Sequence, residues 1–326
     1  MTRSVRTRST RTTGRLSLAA ISALIGAALL ASMLAGCGST TAEKPGSAAG
    51  VSGAQFPVTI TDDASRTVTV SSEPERIVSL APANTEIAFA LGLGKKMVGV
   101  TTYDDYPAEV ANIAKVGDFA SPNLEAIAAA KPDLVLATAG VQAEMVTKLE
   151  ELGATVVVID PQNIAGVYAD IERTGKVTGT AQEAAKLEAG MKADIDSVRK
   201  AVAGVAPVTA FIEIGQNPLY TVGSGTLMDE LLTLAGGKNV VTQPSYVAYS
   251  AEQVIAADPQ FYLATKGSMS DPSALKSRAG YDKLTAVKNG HVLILDDNLV
   301  SRPGPRLVEG LKQIAEGLHP EAFATK

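Results

Sequence analysis

The 326-residue chain has no tryptophan, one cysteine and two histidines, and only 4% of its residues are aromatic. The lone cysteine, Cys37, leaves no partner for a disulfide within the chain. With one thiol, and with His291 and His319 as the only imidazoles, the usual ligands of a buried zinc, manganese or copper site are too few. No Walker-type glycine loop, nucleophile elbow or histidine-based triad is present. Gly92-Leu93-Gly94 reads as a helix stop and Gly223-Ser224-Gly225 as a turn, not as phosphate cradles. The paired acids Asp104-Asp105 and Asp296-Asp297 read as solvated loop ends. No metal, no cofactor and no catalysis are expected.

Positive charge is also scarce outside the N-terminus. The first 36 residues hold five arginines and no acids; without them, 24 basic side chains face 34 acidic ones, a net charge of -10. Such a body repels phosphate backbones, so nucleic acid is not an expected partner. The arginines precede an uncharged apolar run over 16–34, and Leu34-Ala35-Gly36-Cys37 follows. That order describes a secretory leader. A retained anchor is the alternative, since roughly 19 apolar residues can span a bilayer. The tetrad resembles the bacterial lipobox, in which the cysteine is lipidated and becomes the new N-terminus. The expectation is therefore a leader over 1–36, lipidation at Cys37, a flexible Gly/Ser/Thr/Ala tether over 37–55, and a protein held on the extracytoplasmic face of the membrane.

The remaining chain is long enough for two domains. Residues 57–70 alternate about Asp62-Asp63-Ala64-Ser65 and read as a hairpin. Arg76-Ile77-Val78-Ser79-Leu80 is a buried-strand pattern, after which Asn84 or Thr85 can cap a helix over 86–91. Strand-like runs at 97–100, 134–137 and 155–159, with helical patterns between, indicate a mainly parallel α/β sheet. The second half then repeats the first. Residues 123–138, NLEAIAAAKPDLVLAT, align without a gap with residues 250–265, SAEQVIAADPQFYLAT. GKKMV (94–98) is echoed by GKNVV (237–241), and VVVID (156–160) by VLILD (292–296). Convergence of helix–proline–strand junctions is the alternative, but three echoes in one order favour duplication. Between the copies, Thr180-Ala181-Gln182-Glu183 fits a capping box, and apolar residues at Leu187, Met191, Ile195, Val198 and Val202 mark a helix about 34 Å long. The expected fold is α/β: two Rossmann-like lobes, 56–165 and 205–326, joined by a single long helix within a 166–204 connector, with a ligand cleft between them. A stiff connector implies small opening and closing motions, and a monomer is expected.

In open α/β sheets, ligands sit beyond the carboxyl ends of the strands. The segments following the strands carry Pro82, Asn84, Tyr103, Tyr106 and Thr138 in the first lobe, and Asn217, Tyr220, Lys266, Asn298 and Arg302 in the second. Phe119 precedes the first repeated helix; Tyr246 and Tyr249 precede the second. Singly, each tyrosine reads as core or rim. Together they describe an aromatic-lined cleft for a large, partly flat or amphipathic ligand. The candidate contacts are Pro82, Asn84, Tyr103, Phe119, Thr138, Tyr220, Tyr246, Asn298 and Arg302. Glu125 and Glu252 occupy the same position in the two copies. A helix-start acid is often only a dipole partner, contributing under about 1 kcal/mol. A duplicated pair, one per lobe, can instead meet two basic sites on a two-fold symmetric partner.

From 57 to the C-terminus the chain resembles the helical-backbone (class III) solute-binding proteins of ABC importers for cobalamin, haem and ferric siderophores. The resemblance is carried by RIVSLAPANTE (76–86), ALGLGKKMVGV (90–100), YDDYP (103–107), the 123–138 repeat and SRPGPRLVE (301–309). It implies an ABC permease as partner and a corrinoid as ligand, with Tyr103, Phe119 and Tyr246 packing on it and Glu125 and Glu252 meeting permease arginines. Cobalamin-binding members have a pocket tryptophan where this chain has Thr138, and Asp-Trp where it has Asn298-Leu299. A ferric siderophore or haem is the alternative, paired with Arg302, Arg306 or Lys266; Arg306 can equally cap or salt-bridge the C-terminal helix. A chelatase-like lipoprotein enzyme is a further alternative, and it needs an acid/base constellation the sequence does not show.

Overall fold

Asp62 builds the first turn of the chain. Its carboxylate accepts from the backbone N–H of Ala64 and of Arg66, at 3.1 and 3.0 Å, and joins β1 (Val58–Thr61) to β2 (Thr67–Val70) as the expected antiparallel hairpin. The computed structural model describes residues 55–269 and 271–324, so the leader, Cys37 and nearly all of the tether lie outside the described residues.

The N-terminal lobe runs through β3 (Ile77–Ser79), α1 (Pro82–Ala90), β4 (Met97–Gly99), α2 (Leu124–Ala130), β5 (Leu134–Ala137), α3 (Ala143–Glu151), β6 (Val156–Val158) and α4 (Ile164–Thr178). Its four strands are all parallel, in the order β4-β3-β5-β6. Successive residues serve opposite cores: Ile77, Leu134, Leu136 and Val157 face one, Val78, Val135, Ala137 and Val156 the other. A sheet covered on both faces has no polar side, which is why its strands read as continuous apolar runs. The hairpin covers its edge, with the Asp63 N–H donating to the Val158 carbonyl and the Val158 N–H to Asp62. Helix α1 corrects the sequence reading. It begins at Pro82, whose missing N–H costs nothing in a first turn, and has no side-chain cap; Asn84 and Thr85 lie inside it.

Helix α5 (Ala181–Val202) is the rod, and it buries Met191, Ile195, Val198 and Val202 as the spacing indicated. The capping box is not formed, because the Thr180 hydroxyl pairs with that of Thr178 at 2.8 Å. Helix α4 folds back along α5. Lys192 lies 5.0 Å over the Tyr168 ring, and a Cβ on Gly175 would meet the Ala184 Cβ at 2.5 Å. Only glycine permits that approach.

The C-terminal lobe follows with β7 (Val208–Gln216), β8 (Leu219–Val222), α6 (Leu227–Leu234), β9 (Gly237–Asn239), β10 (Tyr246–Ala248), α7 (Ala251–Ala257), β11 (Phe261–Thr265), α8 (Thr285–Asn289), β12 (Val292–Leu295), α9 (Asp297–Val300) and α10 (Leu307–Leu318). Its parallel strands β9-β7-β11-β12 repeat the order β4-β3-β5-β6 strand for strand, and β8 and β10 add an antiparallel extension. Helices α2 and α7 share caps as well: Asn123 and Ser250 accept the backbone N–H at their N-termini, and Lys131 and Asp258 close them at φ 49° and 39°. The echo at 94–98 and 237–241 does not match strand to strand, since β4 starts at Met97 and β9 at Gly237 itself.

One apolar cluster joins the two lobes. It runs from Ile77 and Leu134 through Met191 and Ile195 to Ile212, Leu263 and Leu311, so the inner faces of both sheets share a core across α5. The outer core of the second lobe gathers Phe211, Val254, Tyr262 and Leu275. There the buried carboxylate of Glu213 is met by Arg278 at 3.0 Å and by the Tyr262 hydroxyl at 2.5 Å.

Candidate functional site

Six large hydrophobic side chains stand out as exposed among the described residues, and four are tyrosines: Tyr103 (61%), Tyr106 (45%), Tyr220 (42%) and Tyr246 (46%). Each lobe supplies two. Tyr103 and Tyr106 lie on the loop beyond β4, while Tyr220 and Tyr246 lie on β8 and β10. The β8–β10 register sets Ala248 opposite Tyr220 and Tyr246 opposite Val222, which puts both tyrosines on one face of the sheet. Exposed rings of this kind offer flat apolar area with a polar tip. Tyr249 does not join them: its ring lies 5.6 Å from Phe211 and packs with the outer core.

The loop of Tyr103 is pinned from below. Asp104 accepts from the Thr101 N–H at 2.9 Å and from the Thr101 hydroxyl, and the Tyr103 N–H donates to Thr101 Oγ1 at 3.2 Å. Burial pushes the Asp104 carboxyl above its ordinary value, and the hydrogen bonds from Thr101 with the charge of Lys115 only partly offset it. Gln142, unremarked in the sequence, ties the ends of β3 and β5 to the loop before α2. Its amide donates to the carbonyls of Leu80 and Phe119, at 2.7 and 2.8 Å, and accepts from the Thr138 N–H at 2.9 Å. Phe119 is thereby held half-buried beside Thr138. Nothing in a single sequence distinguishes that glutamine.

Several other candidates turn out to be occupied. Asn84 is buried and donates to the Ala137 carbonyl at 3.2 Å, which makes it a tie between α1 and β5 and not a ligand contact. Pro82 is the first residue of α1, above that tie. Asn298 donates to Asp105 at 3.0 Å, and Arg302 donates to Asp105 at 2.6 Å and to Glu86 at 3.0 Å. Arg306 meets Glu86 with two parallel bonds of 2.9 Å, so its partner is a helix of the other lobe and not its own. Lys266 pairs with Asp296 at 2.8 Å in the open.

A cavity of about 480 Å³ separates the lobes. Pro161 and Gln162 wall it on the N-terminal side, Ser224, Leu227 and Tyr246 on the C-terminal side, with Ser301 and Pro303 between. A neighbouring hollow of about 290 Å³ shares Tyr246 and Ser301 and reaches Ile214 and Met228. Both lie beyond the carboxyl ends of parallel strands, as such sites do. Tyr103 and Phe119 line neither.

Residues 77–299 match the family described as periplasmic binding protein. The chain belongs to that family. It is 39% identical over 304 residues to an uncharacterized ABC transporter substrate-binding lipoprotein of Bacillus subtilis, covering 90% of this chain and 96% of that one. It is 30% identical over 253 residues to a vitamin B12-binding protein of Vibrio parahaemolyticus, covering 76% and 91%. The solved structure of a possible iron-binding periplasmic solute-binding protein of Staphylococcus epidermidis aligns with a TM-score of 0.70 at 33% identity, covering 76% of this chain and 100% of that one. As a periplasmic binding protein of the cobalamin, siderophore and haem class, the chain is a non-catalytic, extracytoplasmic lipoprotein. It works with an ABC permease on a small-molecule ligand. Glu125 and Glu252 are exposed, equivalent in position, and make no ion pair among the described residues.

Proposed function

We propose that this periplasmic binding protein captures cobalamin or a closely related corrinoid between its lobes and delivers it to the permease. The observation that carries this reading is the pairing of exposed tyrosines with neutralised cations. Tyr103 of one lobe and Tyr220 and Tyr246 of the other offer open rings to a broad, amphipathic guest, while Arg302, Arg306 and Lys266 are each matched by a carboxylate. A haem or an anionic ferric siderophore calls for unpaired cations to meet its charged oxygens. The resemblance to the vitamin B12-binding protein supports the same choice. Tyr103 and Tyr246 are assigned as principal contacts, with Phe119, Tyr220 and Thr138 around them, Cys37 as the lipid anchor, and Glu125 and Glu252 as the permease contacts.

The second reading, an iron complex, draws support from the likeness to the Staphylococcus epidermidis protein and from Lys266. That lysine's ion pair is solvent-exposed, and such a pair exchanges readily for a ligand oxygen. Tyr103→Ala and Tyr246→Ala test the tyrosine contacts on which the first reading rests. Each substitution is expected to weaken cyanocobalamin binding about tenfold, the upper range for one stacked aromatic. Calorimetry and visible absorbance measure it, since there is no tryptophan to quench. Unchanged affinity in both variants would remove the tyrosines from the site.

A further inference from the structure

The C-terminal lobe reaches back to the N-terminal one at a second place besides α5. Residues 301–306, Ser-Arg-Pro-Gly-Pro-Arg, connect α9 to α10, and the two prolines stiffen the run. Gly304 packs against α1, where a Cβ would make an ordinary van der Waals contact 3.5 Å from the Ala83 carbonyl oxygen. On the same helix, the buried Glu86 takes Arg306 in a two-pronged pair and Arg302 on one oxygen at 3.0 Å. Arg302 extends further, to Asp105 at 2.6 Å and to the Tyr103 carbonyl at 3.3 Å, and Asn298 adds a bond to Asp105 at 3.0 Å. The Arg306 guanidinium lies 4.0 Å over the Tyr106 ring.

Two acids of one lobe therefore balance two arginines of the other. Exposed ion pairs hold geometry weakly, but a forked guanidinium–carboxylate pair at a buried acid fixes both distance and angle. The grip falls on the loop that displays Tyr103 and Tyr106: the strap holds the Tyr103 carbonyl, the Asp105 carboxylate and the Tyr106 ring, while Asp104 anchors the same loop within its own lobe.

We propose that Glu86, Asp105, Arg302 and Arg306 are positioning residues: the 301–306 strap sets the width of the gap between the lobes and orients Tyr103 and Tyr106 before a ligand arrives. The orientation of the tyrosines matters for binding only if the gap is the ligand site, so it rests on that reading; the width of the gap does not.

The test separates the two. In the leaderless chain with Cys37→Ser, spin labels on Lys148→Cys and Lys276→Cys, exposed positions in opposite lobes, report the interlobe distance without ligand. The parent is expected to give one narrow distribution. Asp105→Ala, on a largely exposed side chain whose loss leaves the cores intact, is expected to broaden it and shift it to longer distance. Glu86→Gln is expected to do the same, and Asp105→Glu to restore the narrow form. Distributions of Asp105→Ala and Glu86→Gln that both match the parent would overturn the proposal. Cyanocobalamin affinity should fall about threefold to tenfold in Asp105→Ala as the competent fraction shrinks. Tyr103→Ala, by contrast, should weaken binding with the distance distribution unchanged; a broadened distribution there would count against the strap as the element that sets the gap.

Discussion

Asp104 and Asp105 are neighbours whose carboxyls are pushed in opposite directions. Burial raises Asp104 above its ordinary 3.8. At Asp105 burial also acts upward, but the hydrogen bond and charge of Arg302, with Asn298, more than offset it and hold the carboxyl below that value. Above 3.8 the folded state keeps the Asp104 proton longer than the unfolded chain does, so stability falls as pH rises through that window. Asp105 has the opposite sign: its contribution is present above 3.8 and is lost as pH falls through its folded value, and solvent screening keeps it small. Asp104→Asn keeps an acceptor for Thr101 and removes the titration. The melting temperature of the variant, relative to the parent, is expected to rise as the pH is raised above the ordinary value of 3.8. A difference that stays constant across that range would place the titration elsewhere. From the sequence both acids read as solvated loop ends. Asp104 escapes that reading through Thr101, three residues away, and Asp105 through Arg302, nearly two hundred residues away, which no local pattern reveals.

At the scale of elements, the repeat carried most of the legible information. The gapless alignment of 123–138 with 250–265 located two helices and two buried strands at matching positions, to which the structure adds matching caps and left-handed closures. The hairpin and the rod were legible because alternation and a 3.6-residue period each survive in short windows. Three features were not. The strands β8 and β10 are short and lack alternation, α1 starts at a proline in place of a polar cap, and α4 folds back on α5 through a contact that spacing does not show. That last contact yields a prediction. Gly175→Val forces a branched side chain against Ala184 and is expected to cost about 1–3 kcal/mol of stability. A urea unfolding curve should show a lower midpoint with an unchanged slope. A midpoint equal to the parent's would mean the helices separate freely.

At the scale of the whole molecule, two sheets share one apolar core across α5 and are tied again by the strap, so large rigid-body closure is not built into the fold. On the proposed docking, the permease reads a fixed spacing of surface groups, for which the duplicated acids Glu125 and Glu252 present one carboxylate per lobe. The double variant Glu125→Ala, Glu252→Ala is expected to retain its cyanocobalamin affinity while losing stimulation of the reconstituted transporter; full stimulation would rule out these acids as contacts. The candidate site was only partly legible. Of the tyrosines nominated near strand ends, Tyr246 lines the cavity between the lobes and Tyr103 does not, and the same logic nominated Asn84, Asn298 and Arg302, whose polar groups are taken up by tertiary partners. The most direct measurement is a calorimetric and visible-absorbance titration of the leaderless protein with cyanocobalamin, haem and a ferric siderophore in one buffer. Corrinoid capture predicts one-to-one saturation by cyanocobalamin at concentrations where both iron complexes leave the signal flat. Saturation by either iron complex, with no response to cyanocobalamin, would contradict it.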